Sequence, residues 1–367
     1  MKPKTKRILK ITLTAVAGLL AAVILAVGSY VLYVVGQYSR IPDNTALEVV
    51  GEIGGGVERD RQYSILTYNI GFGAYGPDYS FFMDTGVMKD GRKTQGKYGK
   101  GLSYESVRKN TDGSLNAVEK QDADFVLLQE VDEKADRSYK INQLAEFRAL
   151  QGYNSVYACN FHSAYLFYPF NDPHGASNAG LVTLSKYKIN SALRRSYPIS
   201  TGFSKFLDLD RAFSVCRYDL EDGKQLVLVN SHMSAYDKGG TIRAEQLAFL
   251  NEFLKEEKTK DNYVIVGGDF NHDIADSAEL FESQQKRPEW VYDLTDEDLT
   301  EGYKIAAATN APTCRGADIP YEKGVDYTVV IDGFIVSDNV EVTGIENIDL
   351  DFAYSDHNPA RMTFKLK

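Results

Sequence analysis

Residues 11 to 35, ITLTAVAGLLAAVILAVGSYVLYVV, run for twenty-five positions without a charge. Few folds accommodate such a run. In hydrocarbon the backbone N–H and C=O groups find no water, so a helix that satisfies them internally is the available structure. About twenty residues suffice to cross a bilayer core of about 30 Å. Lys2, Lys4, Lys6, Arg7 and Lys10 precede the run, and the positive-inside bias places residues 1–10 in the cytoplasm and the chain beyond residue 36 outside it. A cleaved secretory signal is the competing reading, but its apolar part is normally about 7–15 residues. The expectation is therefore an uncleaved single-pass cell-membrane anchor over 11–36. Residues 37–60, with Pro42, Asn44 and Gly54 to Gly56, read as a linker that lifts the remainder off the membrane.

Residues 61–367 show no internal repeat and read as one domain. The chain is 43% hydrophobic, enough for a large core, and its 24 Tyr and 18 Phe favour pleated sheets. A net charge of -10 argues against broad nonspecific adhesion to nucleic acid or anionic lipid, though not against a local phosphate site. Cys159, Cys216 and Cys314 lack the close spacing of zinc or redox motifs. They read as core thiols.

Short β-branched or aromatic segments recur: YSILTYN, FVLLQE, LVTLS, RAFSVCRYDL, QLVLVNSH, YVIVGGDFN, TVVIDGFIVS and ARMTFKL. Helical spacing interrupts them at roughly 104–122, 134–150 and 241–258. Four of the apolar runs end in side chains suited to a cation or a phosphate, namely Asn69, Glu130, His232, and Asp269 with Asn271. Ligands commonly sit beyond strand ends in layered sheets, where loops converge on a rigid base. Near the C-terminus SDHNP supplies Asp356 and His357, and Asp332 interrupts an apolar run. A carboxylate buried there needs a partner, and a histidine is the obvious one. Each residue has an ordinary alternative: Asn69 as a turn cap, Glu130 as a solvated strand end, His232 as a structural histidine, Asp356 and His357 as turn formers. One shared site accounts for all of them. His272 and Asp273 read as loop residues.

The ordered series LTYN, LLQE, VNSH, GGDFN, IDGFIVS and SDHNP resembles the endonuclease/exonuclease/phosphatase superfamily, which includes DNase I-like nucleases, inositol-polyphosphate 5-phosphatases and neutral sphingomyelinases. The resemblance spans residues 61–367. Ser231-His232-Met233 departs from the THL usual in many members but keeps the histidine. Arg243 and Gln246 look like the family's R-x-x-Q-L helix. The resemblance implies an α/β fold, a four-layered sandwich of two packed mixed β-sheets flanked by helices, and metal-dependent hydrolysis of a phosphate ester. It implies Glu130 as main ligand of Mg²⁺ or Mn²⁺, with Asn69 and Asp356 close to the ion. By the same analogy Asp269 and Asn271 orient or deprotonate water, His357 paired with Asp332 contacts the scissile phosphate, and His232 is a second phosphate or acid/base group. Asn178, in N-x-G, and Arg211 are expected to touch phosphate; an ion pair of Arg211 with Asp208 or Asp210 is the competing account.

Two segments stand out as selectors of substrate. Residues 71–110 carry Lys89, Arg92, Lys93, Lys97, Lys100, Arg108 and Lys109 and read either as a cationic flap or as a solvated loop. Residues 153–180 are dense in aromatics around Tyr165, Phe167, Tyr168 and Phe170, suited to stacking on bases, to a lipid interface or to core packing. The expected activity is that of an extracytoplasmic, membrane-anchored phosphodiesterase acting on nucleic acid or a phospholipid or sphingomyelin head group, with no protein partner. A calcineurin-like dinuclear phosphoesterase and a non-catalytic binding module of the same fold are the alternatives.

Overall fold

Along Phe125–Asp132, Phe125 and Leu127 enter one apolar cluster while Val126 and Leu128 enter another, and all four are fully buried. A strand covered on both faces reads as a continuous apolar run, which is why FVLLQE shows no polar alternation. Tyr263–Asp269 behaves the same way: Tyr263 and Ile265 share the cluster of Phe125, whereas Val264 and Val266 pack with Leu250 and Phe253. The common cluster is therefore the filling between two sheets. The computed structural model describes residues 3–206, 210–235 and 240–367.

One seven-stranded sheet comprises β2 (Val49–Val50), β3 (Tyr63–Asn69), β4 (Phe125–Asp132), β5 (Asn154–Leu166), β6 (Gly175–Ser185), β13 (Val340–Asn347) and β14 (Ala360–Leu366). Their spatial order is β13-β14-β3-β4-β6-β5-β2. The second sheet, also of seven strands, comprises β1 (Thr45–Ala46), β7 (Ser191–Ser196), β8 (Ala212–Asp219), β9 (Gln225–His232), β10 (Tyr263–Asp269), β11 (Tyr303–Ala306) and β12 (Asp332–Ser337), in the order β1-β7-β8-β9-β10-β12-β11. Each is mixed and contains one parallel pair, β3 with β4 and β9 with β10. Parallel neighbours require a crossover. Helix α2 (Tyr104–Gln121) lies on the first crossover and α4 (Thr241–Thr259) on the second. Val118 of α2 and Leu144 and Phe147 of α3 (Gln143–Arg148) cover the first sheet, and Leu250, Phe253 and Leu254 of α4 cover the second. The result is the expected four-layered α/β sandwich.

Three expectations need correction. The helix read over 134–150 is confined to α3, because Arg137 turns inward to the Asp132 carboxylate at 2.9 Å and Tyr139 and Lys140 adopt left-handed backbone (φ 55° and 62°) that a right-handed helix cannot contain. The segment 37–60 is not a free linker: β1 pairs with β7 and β2 with β5, so it extends both sheets. Asp43 pairs with Arg195 at 3.0 Å, and Arg40 donates to the Tyr197 carbonyl. Residues 71–110 are only partly a flap. Phe72, Tyr75, Tyr79 and Phe81 are buried in one cluster, Lys100 pairs with Asp172, and Arg108 pairs with Glu146 and Asp112. Lys89, Arg92, Lys93, Lys97 and Lys109 remain exposed.

Before these two segments comes α1 (Pro3–Gln37), a helix whose most apolar window has no buried residue. By length and composition it can cross a membrane.

The two sheets are also joined by a polar bridge that sequence reading did not anticipate. Gln129 Nε2 donates to Asn230 Oδ1 at 2.8 Å, and Asn230 Nδ2 reaches the carbonyls of Leu128 and Val182 at 3.1 Å each. Both side chains are fully buried. Asn230→Ala strands several of these groups without a partner, and the expected loss is about 2–3 kcal/mol, measurable as a lower midpoint in denaturant unfolding of the detergent-solubilised chain.

Candidate active site

All four polar strand ends belong to the two parallel pairs. Asn69 closes β3, Glu130 lies near the end of β4, His232 closes β9 and Asp269 closes β10. His232 and Asp269 face each other in the β9–β10 register, and Asp269 faces Asp332 across to β12. The glycines of VIVGGD now have a reason. A Cβ on Gly267 would meet Leu127 Cδ1 of the opposite sheet at 2.7 Å, and one on Gly268 (φ 152°) would meet the Ser231 carbonyl oxygen at 1.9 Å. Gly267 lets the sheets approach, and Gly268 adopts a backbone closed to other residues.

Glu130 is aimed by a bulge. Leu128 pairs with Val182 and Val131 with Gly180, so Gln129 and Glu130 together oppose Leu181, and Glu130 takes φ 55°. Bulges re-aim side chains beside functional sites. Asn271 likewise sits in left-handed backbone, φ 50°, where Asn is tolerated. The turn places its N–H on Asp269 Oδ1 at 2.9 Å.

The centre of the cluster is one oxygen. Asp269 Oδ2 accepts from Asn69 Nδ2 at 3.0 Å and lies 3.5 Å from His232 Nε2 and 3.7 Å from His357 Nε2. Side chains from both sheets and from the C-terminal SDHNP loop thus meet at a buried carboxylate. His357 Nδ1 bonds Asp332 Oδ2 at 2.8 Å, the pairing expected for the buried acid. Ser355 links this loop to β3 by donating to the Asn69 carbonyl at 2.8 Å. Arg211 Nη1 lies 2.7 Å from His232 Nε2, which brings it into the cluster as well. Of the competing partners for Arg211, Asp208 lies outside the described residues; Asp210 instead pairs with Arg40 at 3.6 Å.

The two histidines are held in opposite states. Burial depresses the His232 imidazole, and the neighbouring Arg211 cation adds to the effect, so it stays neutral and its 3.9 Å approach to Glu130 is no ion pair. For His357 burial also opposes the charge, but the Asp332 carboxylate outweighs it and raises the imidazole well above its ordinary value. Burial lifts Asp269 to about 6 despite the His357 cation. Glu130 is raised by burial and further by Asp356, while Arg137 pulls the other way.

The donors suit a hard cation. Glu130 and Asp356 are carboxylates, Glu130 keeps a quarter of its side chain exposed, and the mutual effect of the two acids is what a divalent ion would relieve. Asn69 lies beside Glu130. Its oxygen accepts from Gly71 N–H, and its nitrogen bridges Glu130 at 3.5 Å and Asp269, so it is a spacer donor between the acids. Ligand atoms of Asp269, Asp332 and His357 also lie within 4.8 Å of one another, but His357 Nδ1 is already engaged by Asp332.

Asn178 does not join the cluster by any of these bonds. Its nitrogen donates to Glu133 and its oxygen accepts from Cys159 Sγ at 3.2 Å. Asn271 donates its side-chain nitrogen to the Met233 carbonyl at 2.9 Å, which leaves the amide oxygen as the end open to a ligand. Arg243 bonds the carbonyls of Asn271 and Trp290, and Gln246 bonds Ser234 and the Pro198 carbonyl, so the R-x-x-Q pair braces the loops after β9 and β10. Asp273 accepts from Ala275, Ser277 and Ala278 N–H groups, a loop builder as read. Sequence reasoning missed Arg137, which is buried, pairs with Asp132 and stands 3.7 Å over the Phe72 ring. Within EVDEKADR it looks like one more solvated charge; only its burial distinguishes it.

Comparison with known proteins agrees with this geometry. The family model described as Endonuclease/Exonuclease/phosphatase family matches residues 66–357. Among curated proteins none matches. Similar solved structures include an endonuclease/exonuclease/phosphatase from Bacteroides vulgatus at 17% identity, covering 84% of this chain and 100% of that one with TM-score 0.50. D. rerio TDP2 complexed with a single-stranded DNA product aligns at 15% identity over 83% of this chain and 100% of that one, TM-score 0.51. ANGEL2, a 2′,3′-cyclic phosphatase in complex with adenosine-2′,3′-vanadate, aligns at 15% identity over 83% and 96% of the two chains, TM-score 0.52. At such identities the structures speak for the fold, while the family model covers most of the chain. The calcineurin-like alternative falls with it: the chain belongs to the Endonuclease/Exonuclease/phosphatase family and is a metal-dependent phosphoric ester hydrolase.

Proposed function

We propose that the chain is a membrane-anchored phosphodiesterase with its catalytic domain outside the cytoplasm, cleaving a nucleic-acid or lipid head-group ester. The observation that carries the catalytic part is the convergence of Asn69, His232 and His357 on Asp269 Oδ2. The basic residues before α1 support the orientation. D. rerio TDP2, which has a similar fold, is complexed with a single-stranded DNA product, and this keeps nucleic acid among the candidates.

Glu130 and Asp356 would hold Mg²⁺ or Mn²⁺, and the bound ion would supply positive charge to a phosphoryl oxygen. Asp269, fixed by Asn69 and the Asn271 N–H, is a carboxylate with raised basicity and serves to orient and deprotonate water. Asn271 offers its amide oxygen to the same water. His357, kept cationic by Asp332, and Arg211 bring positive charge to the phosphate, which develops negative charge during in-line attack. Neutral His232 contacts phosphate or exchanges a proton with the leaving oxygen. The hydrolysis uses no serine or cysteine nucleophile. Asn178 remains a candidate substrate contact only if it gives up its bond to Glu133.

Turnover of single-stranded DNA, duplex DNA, RNA, sphingomyelin and a phosphoinositide, each with Mg²⁺, Mn²⁺, Ca²⁺ or chelator, tests the reading. At least one ester should turn over, and chelator should abolish it. Glu130→Gln should lower kcat/KM by about 100-fold or more with the melting temperature preserved; undiminished turnover in that variant would overturn the assignment. The pH profile has a defined sign. Because Asp269 acts as a base and is raised to about 6, kcat/KM should fall about tenfold per unit as pH drops below that value. Protease added to intact cells should degrade the catalytic domain if it lies outside.

A further inference from the structure

The β5–β6 hairpin is longer than the sheet needs. Gly180 pairs with Cys159 beside the Glu130 bulge, yet pairing continues to Leu166 opposite Gly175. Five residues at about 3.4 Å each carry the arm roughly 17 Å past the strand ends that bear the site. At its tip Phe167 and Tyr168 are half-exposed and Phe170 is 85% exposed. Isolated apolar residues at a surface are ordinary, but a cluster of aromatics points to a contact.

The same tip receives the membrane helix. Tyr30 of α1 donates to the Tyr165 carbonyl at 3.1 Å and accepts from Phe167 N–H at 3.3 Å. Its ring packs edge-on against Phe167 with centroids 5.3 Å apart, and Tyr33 accepts from Tyr165 N–H at 3.4 Å. From Ile11 to Tyr30 there are twenty residues, and at 1.5 Å rise they span about 30 Å, one hydrocarbon thickness. Tyr30 therefore falls at the boundary of the bilayer, where tyrosine prefers to lie, and residues bonded to it fall there too. An aromatic path runs inward from the tip: Phe170, Tyr168, Phe82, Phe81, Tyr75 and Phe72 are in successive ring contact, and Phe72 lies under the Arg137 guanidinium.

We propose that the hairpin tip, through Phe167, Tyr168 and Phe170, lies in the head-group layer of the bilayer crossed by α1. The catalytic mouth then faces that layer, and the substrate is a lipid head-group phosphodiester. The proposal rests on the membrane-anchored reading above and narrows its substrate class.

The test uses the full chain reconstituted in phosphatidylcholine vesicles. A Trp290→Phe, Phe170→Trp variant carries its sole tryptophan at the tip. Its emission should be quenched by lipids brominated near the glycerol backbone and shielded from aqueous iodide. The reverse pattern overturns the proposal. Phe170→Ser with Tyr168→Ser should lower turnover of vesicle sphingomyelin or phosphatidylcholine severalfold while turnover of soluble bis(p-nitrophenyl) phosphate stays unchanged. Equal turnover of vesicle lipid by both forms overturns the role of the tip, and exclusive turnover of DNA or RNA overturns the substrate assignment. Release of the chain from membranes by alkaline carbonate would instead defeat the anchored reading itself, a result distinguishable from iodide access in a chain that stays integral.

Discussion

The structure depends on a carboxylate that burial disfavours. Asp269 sits in a buried position, its basicity raised by burial, and is retained there by donors from Asn69 and the Asn271 N–H and by the nearby His357 cation of the final loop. A buried charge without such partners would be costly. The partners reach it only if the two sheets pack at one relative shift, and the Gln129–Asn230 bridge and the bare Gly267 enforce that shift from one layer below. Core packing alone would tolerate some sliding, since apolar contacts are non-directional. Hydrogen bonds between sheets do not. The polar residues beneath the site therefore fix the relative shift of two seven-stranded sheets, and with it the side chains at their strand ends.

The opposite states of His232 and His357 follow from what stands behind each ring. Both are buried, and burial alone would make both neutral. Asp332 stands behind His357 and makes it a cation; Arg211 stands beside His232 and keeps it uncharged. Environments that push two like groups apart in this way separate their tasks. The pair at 2.8 Å between His357 and Asp332 also leaves the other ring nitrogen facing Asp269 Oδ2 at 3.7 Å.

How much of this was legible in the sequence depends on how local each cause is. Asn69, Glu130, His232 and Asp269 could be picked out because a parallel strand must end where its crossover begins, and in this chain the polar residue stands at that end. Asp332 could be picked out because its apolar surroundings required a partner. The bulge that turns Glu130 inward left no trace in FVLLQEVD, since it is set by which residues of β6 lie opposite. Arg137 and the truncation of the helix read at 134–150 have one tertiary origin, the buried Asp132 that draws the guanidinium in. The amide of Asn69 was legible as a site residue but not in its orientation, because only the Gly71 N–H decides which end turns away. Asn178 matched a motif and is tied elsewhere, a reminder that three letters do not specify a bond.

The segment after α1 was the least legible part, and it bears on how the domain is oriented relative to α1. A flexible stalk would decouple the domain from the bilayer, so that the orientation of the site would be averaged over many directions. Instead, β1 and β2 lock residues 45–50 to both sheets, Arg195 holds Asp43, and Tyr30 holds the hairpin tip. None of these is strong alone: two-residue strands add few hydrogen bonds, and a partly exposed ion pair contributes about 0–1 kcal/mol. Their effect lies in spacing. Contacts at Tyr30, Asp43 and Val49 are spread along the chain on either side of the helix end, and several weak restraints at separate points resist rotation where one strong restraint would permit it. Restraints spaced this way tie the direction of α1 to that of the strand ends through contacts the sequence itself supplies.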